Sequence, residues 1–157
     1  MKRKHIAAIA ISLTLFFAAA ITAALIIPSL TCKQFRLDDE YYGESEAMFI
    51  GKDEYEKLIS DKKSFVIMVD KPGCIKTSEM SVSLSGFPED MQFKYYHMYW
   101  DEAKESSLHE KVKYTPSVAL IHDGEVVDWL DADAKEDEPL YNDPEALQNW
   151  IREFILF

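Results

Sequence analysis

Cys74 is the residue in this sequence with the clearest route to covalent chemistry. It follows Lys71-Pro72-Gly73, opens the stretch Cys74-Ile75-Lys76-Thr77, and comes just after the apolar run Ser64 to Asp70. A helix starting at Cys74 would aim unpaired backbone N–H groups and the positive end of its dipole at the thiol, and both favour the thiolate. Lys71 and Lys76 would add to that potential if their ammonium groups lie near. A thiolate attacks a disulfide to give a mixed disulfide. Outside this setting Cys74 would read as a small buried hydrophobe, as most free cysteines do. The second cysteine, Cys32, lies five residues past an apolar segment and could stay unpaired, join another molecule, or pair with Cys74. Two cysteines make no disulfide framework, so the fold must rest on its core.

The elements that must position Cys74 follow from the pattern. The 157 residues suit one domain. Ile6 to Ile27 is 22 residues without a charge. As a helix it would be about 33 Å long, enough to cross a bilayer core of about 30 Å. Lys2, Arg3 and Lys4 precede it and Pro28 stops it, so residues 1–5 are expected inside, 6–27 as a transmembrane anchor, and the rest outside. A cleaved signal peptide is the rival, with Ala18–Ala20 or Ala23–Ala24 as a cleavage site. A lipoprotein reading at Cys32 is weaker, because Ser29-Leu30-Thr31 lacks the small residue needed before the cysteine. Three of the 17 basic residues precede Ile27, leaving 14 against all 28 acidic ones. That balance repels nucleic acid and anionic lipid from the globular part.

Residues 28–46 read as a polar tether, and the domain as 47–157. Met48 to Ile50 is a short strand. Asp53-x-x-Glu56 looks like a capping box opening a helix with Tyr55, Leu58 and Ile59 on its apolar face. Ser64 to Asp70 is a strand covered on both faces. Cys74 to about Leu84 is a helix, Phe93 to Trp100 an aromatic strand, and Asp101 caps a helix to about Lys111. Ser117 to His122 and Glu125 to Leu130 are strands joined by Asp123-Gly124, a hairpin signal. Asp143-Pro144 starts a last helix whose stripe is Leu147, Trp150, Ile151, Phe154 and Ile155. The order β-α-β-α-β-α-β-β-α predicts a mixed sheet between helices.

On these residues the chain from about Ala47 to Phe157 resembles the thioredoxin superfamily. The resemblance rests on the strand running into Lys71-Pro72-Gly73-Cys74-Ile75-Lys76-Thr77, on the segment Tyr114 to Val127, and on the 42 residues between Cys74 and Pro116. The Lys-Pro-x-Cys lead-in is similar to membrane-anchored thioredoxin-like proteins of the bacteriocin transport accessory type, which implies a bacterial source. The resemblance implies a thioredoxin-like three-layer α/β sandwich, here with one N-terminal transmembrane helix. It places Cys74 as attacking cysteine and Thr115-Pro116 as a cis-proline pair whose backbone would pair with an extended substrate. No cofactor is expected. One departure matters: the family's Cys-x-x-Cys is Cys-x-x-Thr here. Thr77 cannot resolve a mixed disulfide and can only hydrogen-bond to the thiolate.

Three continuations stay open. An external thiol resolves the mixed disulfide; or Cys32 does, over a tether of about 15 residues spanning about 20 Å; or there is no turnover and the surface around Cys74 and Pro116 binds partners. The leading expectation is monothiol exchange with thiols and disulfides of exported proteins or peptides. Its alternative is a silent binding or accessory module for export or maturation of a secreted peptide. Other chemistry finds no support. His97, His109 and His122 lack metal-ligand spacing. Asp131 to Glu138 begins like a calcium loop but lacks its glycine and places a lysine at a ligand position, so it reads as a solvated insertion. Tyr95, Tyr96, Tyr99 and Trp100 read as core and hairpin-facing residues. With 5 glycines in the chain there is no phosphate loop, and no Ser/His/Asp arrangement can be argued.

Overall fold

In the computed structural model, which describes residues 34–73 and 75–157, the apolar run after Ser64 is the centre of a sheet. The strands are β1 (Ala47–Phe49), β2 (Phe65–Asp70), β3 (Tyr95–Tyr99), β4 (Ser117–His122) and β5 (Glu125–Trp129). Their spatial order is β1-β3-β2-β4-β5. β3 runs parallel to both β1 and β2, whereas β4 is antiparallel to β2 and β5. Every residue of β2 is buried, as a continuous apolar run requires of a strand covered on both faces.

The helices are α1 (Lys52–Ser60), α2 (Ile75–Ser85), α3 (Trp100–Ala103), α4 (Glu138–Asn142) and α5 (Pro144–Phe154). Successive strand residues point to opposite faces. Tyr55 of α1 meets Phe65 on one face. Ser81 of α2 hydrogen-bonds Tyr95 on the other, where α2 also packs against α5. The stripe of α5 is as the spacing predicts, with Leu147 and Ile151 fully buried. Asp143 caps that helix by accepting the Glu145 N–H at 2.9 Å. Asp123 (φ 51°) and Gly124 (φ 77°) form the left-handed pair that a two-residue hairpin needs.

Four expectations need correction. Asp53 and Glu56 form no capping box: α1 starts at Lys52, behind Gly51, with no side-chain cap. A carboxylate from elsewhere supplies the acceptor, as Glu102 takes the Lys52 N–H at 3.0 Å. Glu56 instead receives the N–H and hydroxyl of Ser107. No single helix runs from Asp101 to Lys111 either. α3 ends at Ala103, and a 3-10 turn occupies Ser107–Glu110. Ser106 turns its hydroxyl back onto the Ala103 carbonyl at 2.9 Å, a local bond that competes with the helix, and Leu108 and Val112 then fold into the core.

The tether is not free from Gln34 on. Phe35, Leu37 and Tyr41 are buried, and Phe35 bridges to Ile155 in parallel. Its N–H reaches the Phe154 carbonyl (2.7 Å) and its carbonyl takes the Leu156 N–H (2.8 Å). These apolar residues enter the core singly, so they leave no periodic trace in the sequence. The acidic insertion, finally, holds α4, a helix the sequence pattern did not indicate.

Among the described residues no helix is long and apolar enough to cross a membrane. The anchor proposed for 6–27 lies outside them.

Candidate functional site

β2 delivers its chain to the C-terminal end of the sheet, where sites of open α/β sheets form. Lys71 to Gly73 make the turn, with Gly73 at φ 81°, a left-handed value that glycine adopts without Cβ strain. Helix α2 begins at Ile75, which is 77% exposed. In the chain, Cys74 stands immediately before that first helical residue. Cys74 itself, like Cys32, lies outside the described residues.

Of the other predicted site residues, Thr115 and Pro116 share a cleft with the first turn of α2. The Thr115-Pro116 peptide is cis. Lys76, in the first turn of α2, lines one cleft of about 570 Å³ with Thr115 and Pro116. Pro116 is buried, and its carbonyl accepts the Tyr141 hydroxyl at 2.9 Å. The next residue, Ser117, fixes the strand start by donating its hydroxyl to the Leu130 carbonyl at 2.6 Å. Thr77 has its hydroxyl oxygen enclosed and without a partner among the described residues. An enclosed hydroxyl without a partner is costly. In the chain Thr77 stands three residues after Cys74.

The two lysines are engaged elsewhere. Lys76 pairs with Glu79 at 3.0 Å and donates to Asn142 Oδ1 at 2.9 Å, while Lys71 sits over the Trp100 ring, 5.7 Å from its centroid. Glu79 offsets the Lys76 charge.

Sequence reasoning missed two parts of the site. One is the pair of Asp70, 2% exposed, and His97, whose Nε2 lies 2.7 Å from Asp70 Oδ1. An acid closing an otherwise apolar buried strand was the available signal, but its partner comes from β3, 27 residues on. The other is α4, whose Tyr141 and Asn142 grip Pro116 and Lys76. Among the described residues no group of three His, Cys, Asp or Glu side chains is arranged to hold a metal.

The sequence matches no family model and no curated protein. Solved structures do resemble the chain. A thioredoxin mutant from Halobacterium salinarum aligns over 74% of this chain and 96% of its own, with 16% identity and a TM-score of 0.51. Reduced thioredoxin from Schistosoma mansoni aligns over 70% and 99%, with 15% identity and a TM-score of 0.51. Oxidised thioredoxin from Plasmodium falciparum aligns over 69% and 97%, with 16% identity and a TM-score of 0.50. With the parallel β1-β3-β2 core, the antiparallel β4-β5 pair and the cis-proline between α2 and the hairpin, the described chain has the thioredoxin fold.

Proposed function

We propose that this protein carries out monothiol thiol–disulfide exchange on exported proteins or peptides through Cys74, with residues 6–27 tethering it to the outer face of a membrane. The observation that carries this reading is the shared cleft: the first turn of α2 and the cis Thr115-Pro116 peptide line the same space, and Cys74 directly precedes that helix.

The Cys74 thiolate attacks one sulfur of a substrate disulfide. A Cys74–substrate disulfide forms, the substrate S–S bond breaks, and the leaving thiolate takes a proton from water. A low-molecular-weight external thiol then attacks the mixed disulfide. It returns Cys74 as thiolate and leaves the substrate disulfide-bonded to that thiol, or reduced after a second thiol. Thr77 supplies a hydroxyl donor to the thiolate and not a resolving sulfur.

The test is the pH dependence of Cys74 alkylation in the full chain carrying Cys32→Ser. A thiolate titrating well below about 8.5, the ordinary cysteine value, supports the reading. Slow labelling at every pH short of unfolding removes it. Thr77, standing where the family's second cysteine would be, favours the second reading, a binding or accessory module, in which Cys74→Ser leaves biological activity intact.

A further inference from the structure

The insertion that carries α4 leaves the sheet where the cis-proline loses its strand partner. β4 and β5 pair in a register that sets Ala119 opposite Trp129 and Leu120 opposite Asp128. Leu130 continues it, donating its N–H to the Val118 carbonyl at 2.9 Å. The next hydrogen-bonded step of this antiparallel ladder would bring the Ala132 N–H to the Pro116 carbonyl. The chain turns away instead. The Asp131 N–H goes to the Asp137 carboxylate at 2.7 Å, and the Asp133 N–H to Asp131 Oδ1 at 2.9 Å. Pro116 also lies one residue beyond the last pair of β2 with β4, Val69 with Ser117.

Pro116 is buried, so a carbonyl left there without a donor would be costly. The far end of the same insertion supplies the donor, the Tyr141 hydroxyl at 2.9 Å. The Tyr141 ring is partly buried against the core. Burial first, and then the Asp137 and Asp131 charges, raise its phenol, which keeps it protonated and able to donate. The next residue is held from the opposite side, because fully buried Ser117 donates its hydroxyl to the Leu130 carbonyl at 2.6 Å. The turn so fixed faces the cleft that Thr115, Pro116 and Tyr141 share with Lys76 of α2.

We propose that Tyr141 is a positioning residue of the exchange site: through the Pro116 carbonyl it fixes the turn against which a substrate is held while Cys74 attacks. The proposal rests on the exchange reading. The ring of Tyr141 fills space, and its hydroxyl positions. Tyr141→Phe separates the two roles, because it keeps the ring and removes the donor.

The test uses the full chain with Cys32→Ser and two disulfides. One is the symmetrical disulfide of thionitrobenzoate, a small reagent with little to be positioned. The other is a short unstructured peptide whose single cysteine is disulfide-bonded to thionitrobenzoate. In each case the Cys74 thiolate attacks, a disulfide to Cys74 forms as the probe's S–S bond breaks, and coloured thionitrobenzoate leaves as its thiolate. Tyr141→Phe should slow the peptide reaction about fivefold more than the reaction with the free reagent, the worth of one hydrogen bond.

A variant that slows both reactions alike, or neither, overturns the positioning role, whatever its melting temperature. A merely structural hydrogen bond would lower that temperature without separating the two rates. A free reagent that fails to react with the unaltered chain refutes the exchange chemistry instead. The positioning role is then decided by binding of the same peptide with serine at its cysteine, followed by fluorescence anisotropy. Tyr141→Phe should weaken that binding, and unchanged affinity overturns the role.

Discussion

The carboxylate of Asp70 holds Nε2 of His97 at 2.7 Å where the parallel strands β2 and β3 end. Asp70 is 2% exposed and His97 is its hydrogen-bond partner, so the carboxylate depends on that ring. His97→Phe leaves a buried acid unpaired and should cost about 3 kcal/mol, read as a lower urea midpoint. Asp70→Asn keeps an oxygen that can accept and should cost clearly less. Equal losses in the two variants would show that the pairing is not what stabilises this end of the sheet.

Two buried tyrosines, Tyr41 and Tyr55, and the partly buried Tyr141 make the fold sensitive to alkali. Burial is the first cause raising the phenol of each of Tyr41, Tyr55 and Tyr141, helped by the hydrogen bond to Tyr96 for Tyr41 and by the Asp137 and Asp131 charges for Tyr141. A folded value above the unfolded one means stability is complete below about pH 10. Above it the unfolded chain ionises while the native one does not, and stability falls by up to about 1.4 kcal/mol per pH unit for each tyrosine. Urea unfolding followed across that range, beside phenolate absorbance, checks this. Phenolate signal rising well before unfolding would contradict it.

Gly124 is fixed by space as well as by its dihedral angles. A Cβ there would overlap the Ile59 carbonyl oxygen, which belongs to backbone and cannot swing aside. The Gly124 N–H also bonds the Lys63 carbonyl at 3.0 Å, locking the hairpin tip to the end of α1. Gly124→Ala should therefore destabilise by more than about 1 kcal/mol, whereas Gly43→Ala, with open space around it, meets only its positive φ. A calorimetric comparison of the two variants decides whether contact or dihedral strain dominates.

What the sequence revealed depended on how local the cause was. Strand β2, the hairpin at Asp123-Gly124 and α5 each carry their own pattern: an apolar run, a left-handed turn pair, a stripe with an Asp-Pro start. The cis Thr115-Pro116 peptide was expected through resemblance, and the structure has it. The failures are tertiary. Glu102 and Glu56 trade acceptors between α1 and the segment after β3, which no window of sequence displays. Phe35 and Leu37 look like stray apolar residues in a polar stretch until their partners near Ile155 and Ser64 are known. The same holds for Asp70 with His97 and for Tyr141 with Pro116, whose partners are brought together only by the sheet.

Anchoring of Phe35 also changes what Cys32 can reach. The Phe35 ring stacks on His122 at 4.5 Å, at the end of β4 that faces Phe65, the first residue of β2. Three peptide steps join Cys32 to Phe35, a reach of about 11 Å. Strand β2 alone is about 17 Å from Phe65 to Asp70, and Cys74 lies beyond its far end in the chain. Free play over 15 residues is therefore no longer available, and Cys32 should not resolve a Cys74 mixed disulfide while Phe35 stays seated. Mild oxidation of the full chain should give dimers joined through Cys32 and no Cys32–Cys74 loop, as peptide mapping under non-reducing conditions would show. Phe35→Ala loosens the strap and is the variant in which such a loop could appear. Finding the loop in the unaltered chain, with His122 still covered, would restore Cys32 as the resolving thiol.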